Sequence, residues 1–112
     1  MLSAILLSVA AASAPEAAAA PAPAAAGRAL AQAHCAACHA VGPRGASPNR
    51  EAPPLRTLAQ RYPIENLEEA LAEGILVGHP AMPQFQFSAE EVESLVAYLK
   101  SIQTPAKRKP RR

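Results

Sequence analysis

The most regular apolar pattern in the chain lies near its C-terminus. In SAEEVESLVAYLKSIQT, Val92, Leu95, Val96, Leu99 and Ile102 recur at helical spacing and line one face. Ser88 and Glu91 predict a capping box at its start, and Pro105 marks its end. Upstream, GRALAQAHC is built from good helix formers beginning near Gly27. NLEEALAEG sets Leu67, Ala70 and Leu71 on one face, with Asn66 as the predicted N-cap and Gly74 as the stop. PLRTLAQRY predicts a short helix from about Pro54, a residue tolerated in a first helical turn. Between these lie AVGPRGASPNREAPP and ILVGHPAMPQFQF, broken by glycine and proline and without periodicity. Loops of that length in a compact domain usually carry function. No segment alternates apolar and polar positions, so the predicted class is all-α with long loops.

The N-terminus has a different character. MLSAILLSVAAASA is an apolar run ending in small residues of the Ala-x-Ala kind, which reads as a secretory signal. It is shorter than the roughly 20 residues a membrane helix needs. No Lys or Arg precedes the run, and Pro15 crowds the first cleavage option, so cleavage after Ala19 is equally readable. An uncleaved Ala-rich anchor or a misassigned start is the alternative. The division expected is a signal at 1–19, an Ala/Pro-rich tether at 20–26 that prolines keep from helix, a folded domain at 27–104 and a basic disordered tail at 105–112.

Composition adds two constraints. The folded part is close to the size at which side chains alone rarely stabilise a core, and it has two Tyr, two Phe and no Trp. Something besides side chains is expected to fill its interior. The net charge of +2 hides an asymmetry, because KRKPRR at 107–112 holds five of the eleven basic residues. The remainder, six basic against nine acidic groups, is net negative. No basic face is expected on the folded body, which argues against a nucleic-acid partner.

Residues 34–40, HCAACHA, concentrate both cysteines and two of the three histidines. A structural zinc site needs four ligands, and beyond this cluster only His79 is left to contribute. A dithiol redox centre belongs at a helix start after a strand, whereas this pair sits near a helix end with no strand in view. A disulfide across so short a loop stabilises little. Cys-x-x-Cys-His is the attachment signature of c-type haem: two thiols add to the two porphyrin vinyls, and the adjoining histidine is brought to the iron. Met82, 43 residues after His39 in GHPAMPQF, is the candidate second iron ligand, a soft neutral thioether that favours the ferrous state. The plainer role for Met82 is to fill a gap in the core. Pro80 and Pro83 stiffen its loop.

With these pieces in hand, the chain resembles a class I c-type cytochrome of the small, single-haem bacterial kind over about Gly27 to Ile102. GRALAQAHCAACHA, APPL, HPAMPQF and ESLVAYLKSI carry the likeness. The resemblance implies helices and long loops wrapped around one covalently attached haem c with its iron, the first and last helices crossing. It implies Cys35 and Cys38 as thioether anchors, His39 as proximal ligand and Met82 as distal ligand. Pro53, two residues before Leu55, would offer its carbonyl to His39 Nδ1–H and so fix the imidazole tautomer. Ala52 stands where the family has glycine. Gly27 and Tyr98 match the helix crossing, and Ala31 stands in place of a large aromatic. Leu30, Leu55, Leu58, Leu67, Leu71, Ile75 and Phe85 would line the haem. Arg56, Arg61 and Tyr62 are candidate propionate partners or an ordinary solvated face. His34 and His79 read as surface residues.

The function this implies is an exported, periplasmic electron carrier rather than an enzyme. It would exchange single electrons with redox proteins as donor and acceptor, as a monomer or as a complex subunit. A haem enzyme or gas- or peroxide-reactive centre with a displaceable Met82 is the alternative, as is the cytochrome subunit of a larger dehydrogenase or oxidase. The basic tail suggests weak contact with an acidic partner or anionic membrane surface, acting across about one Debye length, ~8 Å at physiological salt. Deleting residues 106–112 should leave melting temperature, spectrum and potential unchanged. It should slow reaction with the natural partner in stopped-flow and flatten that rate's dependence on ionic strength.

Overall fold

Pro23 opens the first helix. In the computed structural model, which describes residues 9–13, 22–74 and 81–105, α1 spans Pro23–His34. Proline at the first helical position gives up an N–H that would have no partner anyway, and Ala24–Ala26 propagate helix readily. The helix therefore begins four residues before Gly27 and takes in the end of the expected tether. Residues 1–8 and 14–19 of the expected signal, 20–21 of the tether, Ile75, His79 and 106–112 of the tail lie outside the described residues.

A 3-10 helix over Leu55–Gln60 follows the first long loop, with Pro54 at its N-cap. A second 3-10 turn, Ile64–Asn66, runs directly into α2, Leu67–Glu73. That turn explains why Asn66 makes no side-chain cap: its backbone is already helical, at φ −65° and ψ −15°. Gly74 ends α2 in the left-handed region at φ 74°, a conformation that favours glycine. The last helix, α3, spans Ala89–Ile102 and carries the full capping box. Glu91 N–H donates to Ser88 Oγ at 3.2 Å, and Ser88 N–H donates to Glu91 Oε1 at 3.0 Å. No strand occurs among the described residues, and no helix among them is long and apolar enough to cross a membrane.

The helix pair α1–α3 forms the main contact of the fold. Gly27 and Ala31 are the buried residues of α1 there, and Val92, Leu95, Val96, Tyr98 and Leu99 those of α3. A Cβ on Gly27 would overlap the Ser94 carbonyl oxygen and lie 2.7 Å from Tyr98 Cβ, so only glycine fits. The end of α3 is tied to the loops by hydrogen bonds. Tyr98 Oη donates to the Val41 carbonyl at 2.6 Å, Gln103 Nε2 to the Leu55 carbonyl at 2.9 Å, and Thr104 N–H to the Arg56 carbonyl at 2.8 Å. An exposed ion pair, Lys100 to Glu65 at 2.6 Å, adds a contact from α3 to the second 3-10 turn. It holds the Glu65 carboxyl below its ordinary range and the Lys100 amine above its own, but exposed pairs contribute little to stability.

Gly27→Ala should destabilise the protein although alanine is the better helix former. The overlap at α3 is expected to cost ~1–3 kcal/mol, more than the ~1 kcal/mol gained in propensity. A thermal melt followed by circular dichroism should show a lower midpoint, whereas Gly42→Ala, where an added Cβ meets nothing within 4 Å, serves as the control.

Candidate haem-binding site

The cysteine cluster lies where α1 unwinds. Cys35 is the C-cap residue, its N–H donating to the Ala31 carbonyl at 2.8 Å. The turn then closes on itself, with Cys38 N–H and His39 N–H both donating to the Cys35 carbonyl, at 3.2 and 2.9 Å. This brings Cys35, Cys38 and His39 to the wall of one cavity of about 260 Å³. The loop that follows is pinned back onto the cluster. Asn49 N–H donates to the Cys38 carbonyl at 3.1 Å, Ala40 N–H to Ser47 Oγ at 3.0 Å, and Leu55 N–H to the Ala40 carbonyl at 2.9 Å.

These ties carry Pro53 to His39. The Pro53 carbonyl oxygen lies 2.7 Å from His39 Nδ1. A carbonyl can only accept, so Nδ1 carries the proton of this bond and Nε2 is the ring nitrogen left to act as a ligand. The bond thereby fixes the orientation of the ring and reserves Nε2 for coordination. Ala52, in place of glycine, is accommodated without strain, since no non-glycine residue among those described has a positive φ.

The rest of the cavity is mostly apolar. Leu55, Leu58, Leu67, Leu71 and Phe85 line it as the sequence suggests, and so do Met82 and Tyr62. Leu30 instead packs against the core without reaching the cavity, and Ile75 lies outside the described residues. Leu95 and Leu99 of α3 also line it, and neither is among the residues the family likeness implied. Arg56 and Arg61 are absent from its lining: Arg56 Nη1 donates to the Gly45 carbonyl at 2.8 Å, and both arginines line a separate cleft. His34 is exposed, as read, yet its ring packs on Phe85 and Phe87 at centroid distances of 5.6 and 5.5 Å and lines the cavity. Gln103 is a further positioning residue that no motif announced. Its amide holds the Leu55 carbonyl while its Oε1 accepts from Ala59 N–H at 2.8 Å.

The thiols are free and unpaired with each other. Burial pushes the Cys35 thiol above its ordinary range, and the carboxyl end of a helix also disfavours a thiolate. Both effects are the reverse of what a reactive dithiol centre requires. Among the described residues no group of three or more His, Cys, Asp or Glu is placed to hold a metal ion. What remains is an apolar cavity with two thiols, an oriented imidazole and a thioether on its walls. That donor set fits a covalently attached haem.

Fold and site together define an all-α protein with an apolar, thiol-bearing cavity walled by the end of α1, the 3-10 helix, α2 and α3. Residues 24–103 match the Cytochrome c family, and the chain belongs to it. Its members carry covalently bound haem c with iron and transfer electrons, and this chain is a haem-binding protein of that kind. Comparison with curated proteins and with solved structures gives no match.

Acid–acetone treatment of protein matured with a c-type attachment system should leave the colour on the polypeptide. Cys35→Ser or Cys38→Ser should leave one attachment and a red-shifted reduced spectrum, and the double variant should release its haem to the organic phase.

Proposed function

We propose that this protein is an exported single-electron carrier whose haem iron is ligated by His39 and Met82, exchanging electrons with separate redox proteins. The observation that carries the reading is that His39 and Met82, far apart in the chain, line the same cavity as both thiols. Haem supplies the one-electron couple. The protein's residues supply the rest. Pro53 holds the His39 ring in place through Nδ1–H and makes its imidazole a better donor to iron. Met82 contributes a soft, neutral donor that raises the potential relative to a second imidazole. The leucines of the 3-10 helix, α2 and α3 keep water from the cavity, and with both ligand positions filled by protein no place is left for a substrate. Export is supported by the apolar N-terminal run and the small residues after it.

The test is substitution of Met82. The native reduced protein should bind no carbon monoxide. Met82→Ala should lose the weak far-red sulfur–iron band of the oxidised form and bind carbon monoxide or cyanide. Met82→His should remain six-coordinate with a markedly lower potential. An unchanged spectrum in Met82→Ala returns the residue to a packing role, and carbon monoxide binding by the native protein favours the reactive-centre alternative.

A further inference from the structure

The segment that carries Met82 has little backbone footing. Among the described residues, its first backbone hydrogen bond after Met82 runs from Phe87 N–H to the Leu71 carbonyl, at 3.1 Å. Pro83 has no N–H to give, and Gln86 adds only a side-chain bond, Nε2 donating to the Glu73 carbonyl at 3.4 Å. Both bonds reach α2, a seven-residue helix none of whose residues is buried. Such footing is weak, and few buried contacts leave a segment easy to open.

A second footing is aromatic. The His34 ring lies 5.6 Å from Phe85 and 5.5 Å from Phe87, with the planes inclined at 58° and 71°. Phe85 and Phe87 stack on each other at 5.8 Å and 28°. Tilted and edge-on pairs at these separations are the attractive ones for aromatic rings. Phe87 is buried, Phe85 half-buried and His34 exposed, so His34 is the solvent-side member and its ring nitrogens stay wetted.

The three rings join two parts of the site. His34 is the last residue of α1 and the chain neighbour of Cys35, while Phe85 stands three residues after Met82. His34, Cys35, Met82 and Phe85 all line the same cavity. The end of α1 is itself held by the contact of that helix with α3.

We propose that His34 is a positioning residue for the distal iron ligand: its ring clamps Phe85 and Phe87 and so holds the Met82 segment against the cavity. The inference rests on the reading of Met82 as that ligand. Met82 leaves the iron only if its segment moves outward, and that movement separates the rings. Removing the His34 ring therefore makes the movement easier. It spares the α1–α3 contact, whose buried residues on α1 are Gly27 and Ala31. The role asks for a flat ring and for neither charge nor a hydrogen bond, so phenylalanine should serve in its place.

The experiment uses the haem-bearing protein, with imidazole as the probe. In stopped-flow mixing of the oxidised form, displacement of Met82 reaches a limiting rate at high imidazole, the rate at which the thioether leaves the iron. His34→Ala should raise that rate ~3- to 10-fold, and His34→Phe should stay within about twofold of native. Val96→Ala opens a gap in the helix contact, away from the cavity lining. It should lower the melting midpoint and leave the limiting rate within about twofold of native. In the reduced native protein, nuclear Overhauser effects should connect the His34 ring to both phenylalanine rings. A native rate in His34→Ala, equal acceleration in His34→Phe or Val96→Ala, or absence of those effects overturns the clamp. Such results with the sulfur–iron band present remove the clamp alone, whereas a native oxidised protein without that band removes the reading beneath it.

Discussion

The chain does not have enough side-chain bulk to fill its own interior. Among the described residues no large side chain is completely buried, and the tightest, Leu95, retains 3% exposure. Leu55, Leu58, Leu95 and Leu99 belong to the core and at the same time line the cavity, so the core is a wall rather than a solid. A domain of this length has little stability to spare, and burying those inner faces needs a large apolar cofactor. The helices and loops are arranged around that requirement. The α1–α3 contact closes one side, the 3-10 helix and α2 the others, and the Met82 segment returns across the opening, held at its end by Phe87 N–H donating to the Leu71 carbonyl at 3.1 Å.

The same economy couples the last helix to the imidazole. Gln103 and Thr104, just beyond α3, hold the backbone of Leu55 and Arg56, and Tyr98 holds that of Val41. These anchors lie on either side of the loop that presents Pro53 to His39. A loop with few apolar contacts of its own is thus made rigid by hydrogen bonds to a stable helix. Rigidity at that carbonyl fixes the orientation of the proximal donor, and an electron carrier gains from a site that changes little between its two oxidation states.

The site was more legible than the fold's connections. Cys35, Cys38 and His39 announce themselves because attachment chemistry demands that order, and the Pro53–His39 bond followed from the family likeness and is present at 2.7 Å. The capping box of α3 was equally plain, since its partners are three residues apart. The start of α1 was misread because proline was taken as a helix breaker when at the first position it is a starter. The roles of Gln103 and His34 could not be read, as they depend on partners distant in sequence, Leu55 for one and Phe85 and Phe87 for the other.

If a covalently held haem completes this core, then fold and cofactor cannot be separated. The most direct measurement is a thermal melt, by far-ultraviolet circular dichroism, of the chain produced with and without a c-type attachment system. The account predicts a cooperative transition for the haem-bearing protein, and low helicity with no cooperative transition for the haem-free chain. A haem-free chain that melts cooperatively with the same helicity would contradict it, since side chains alone would then suffice to build the core.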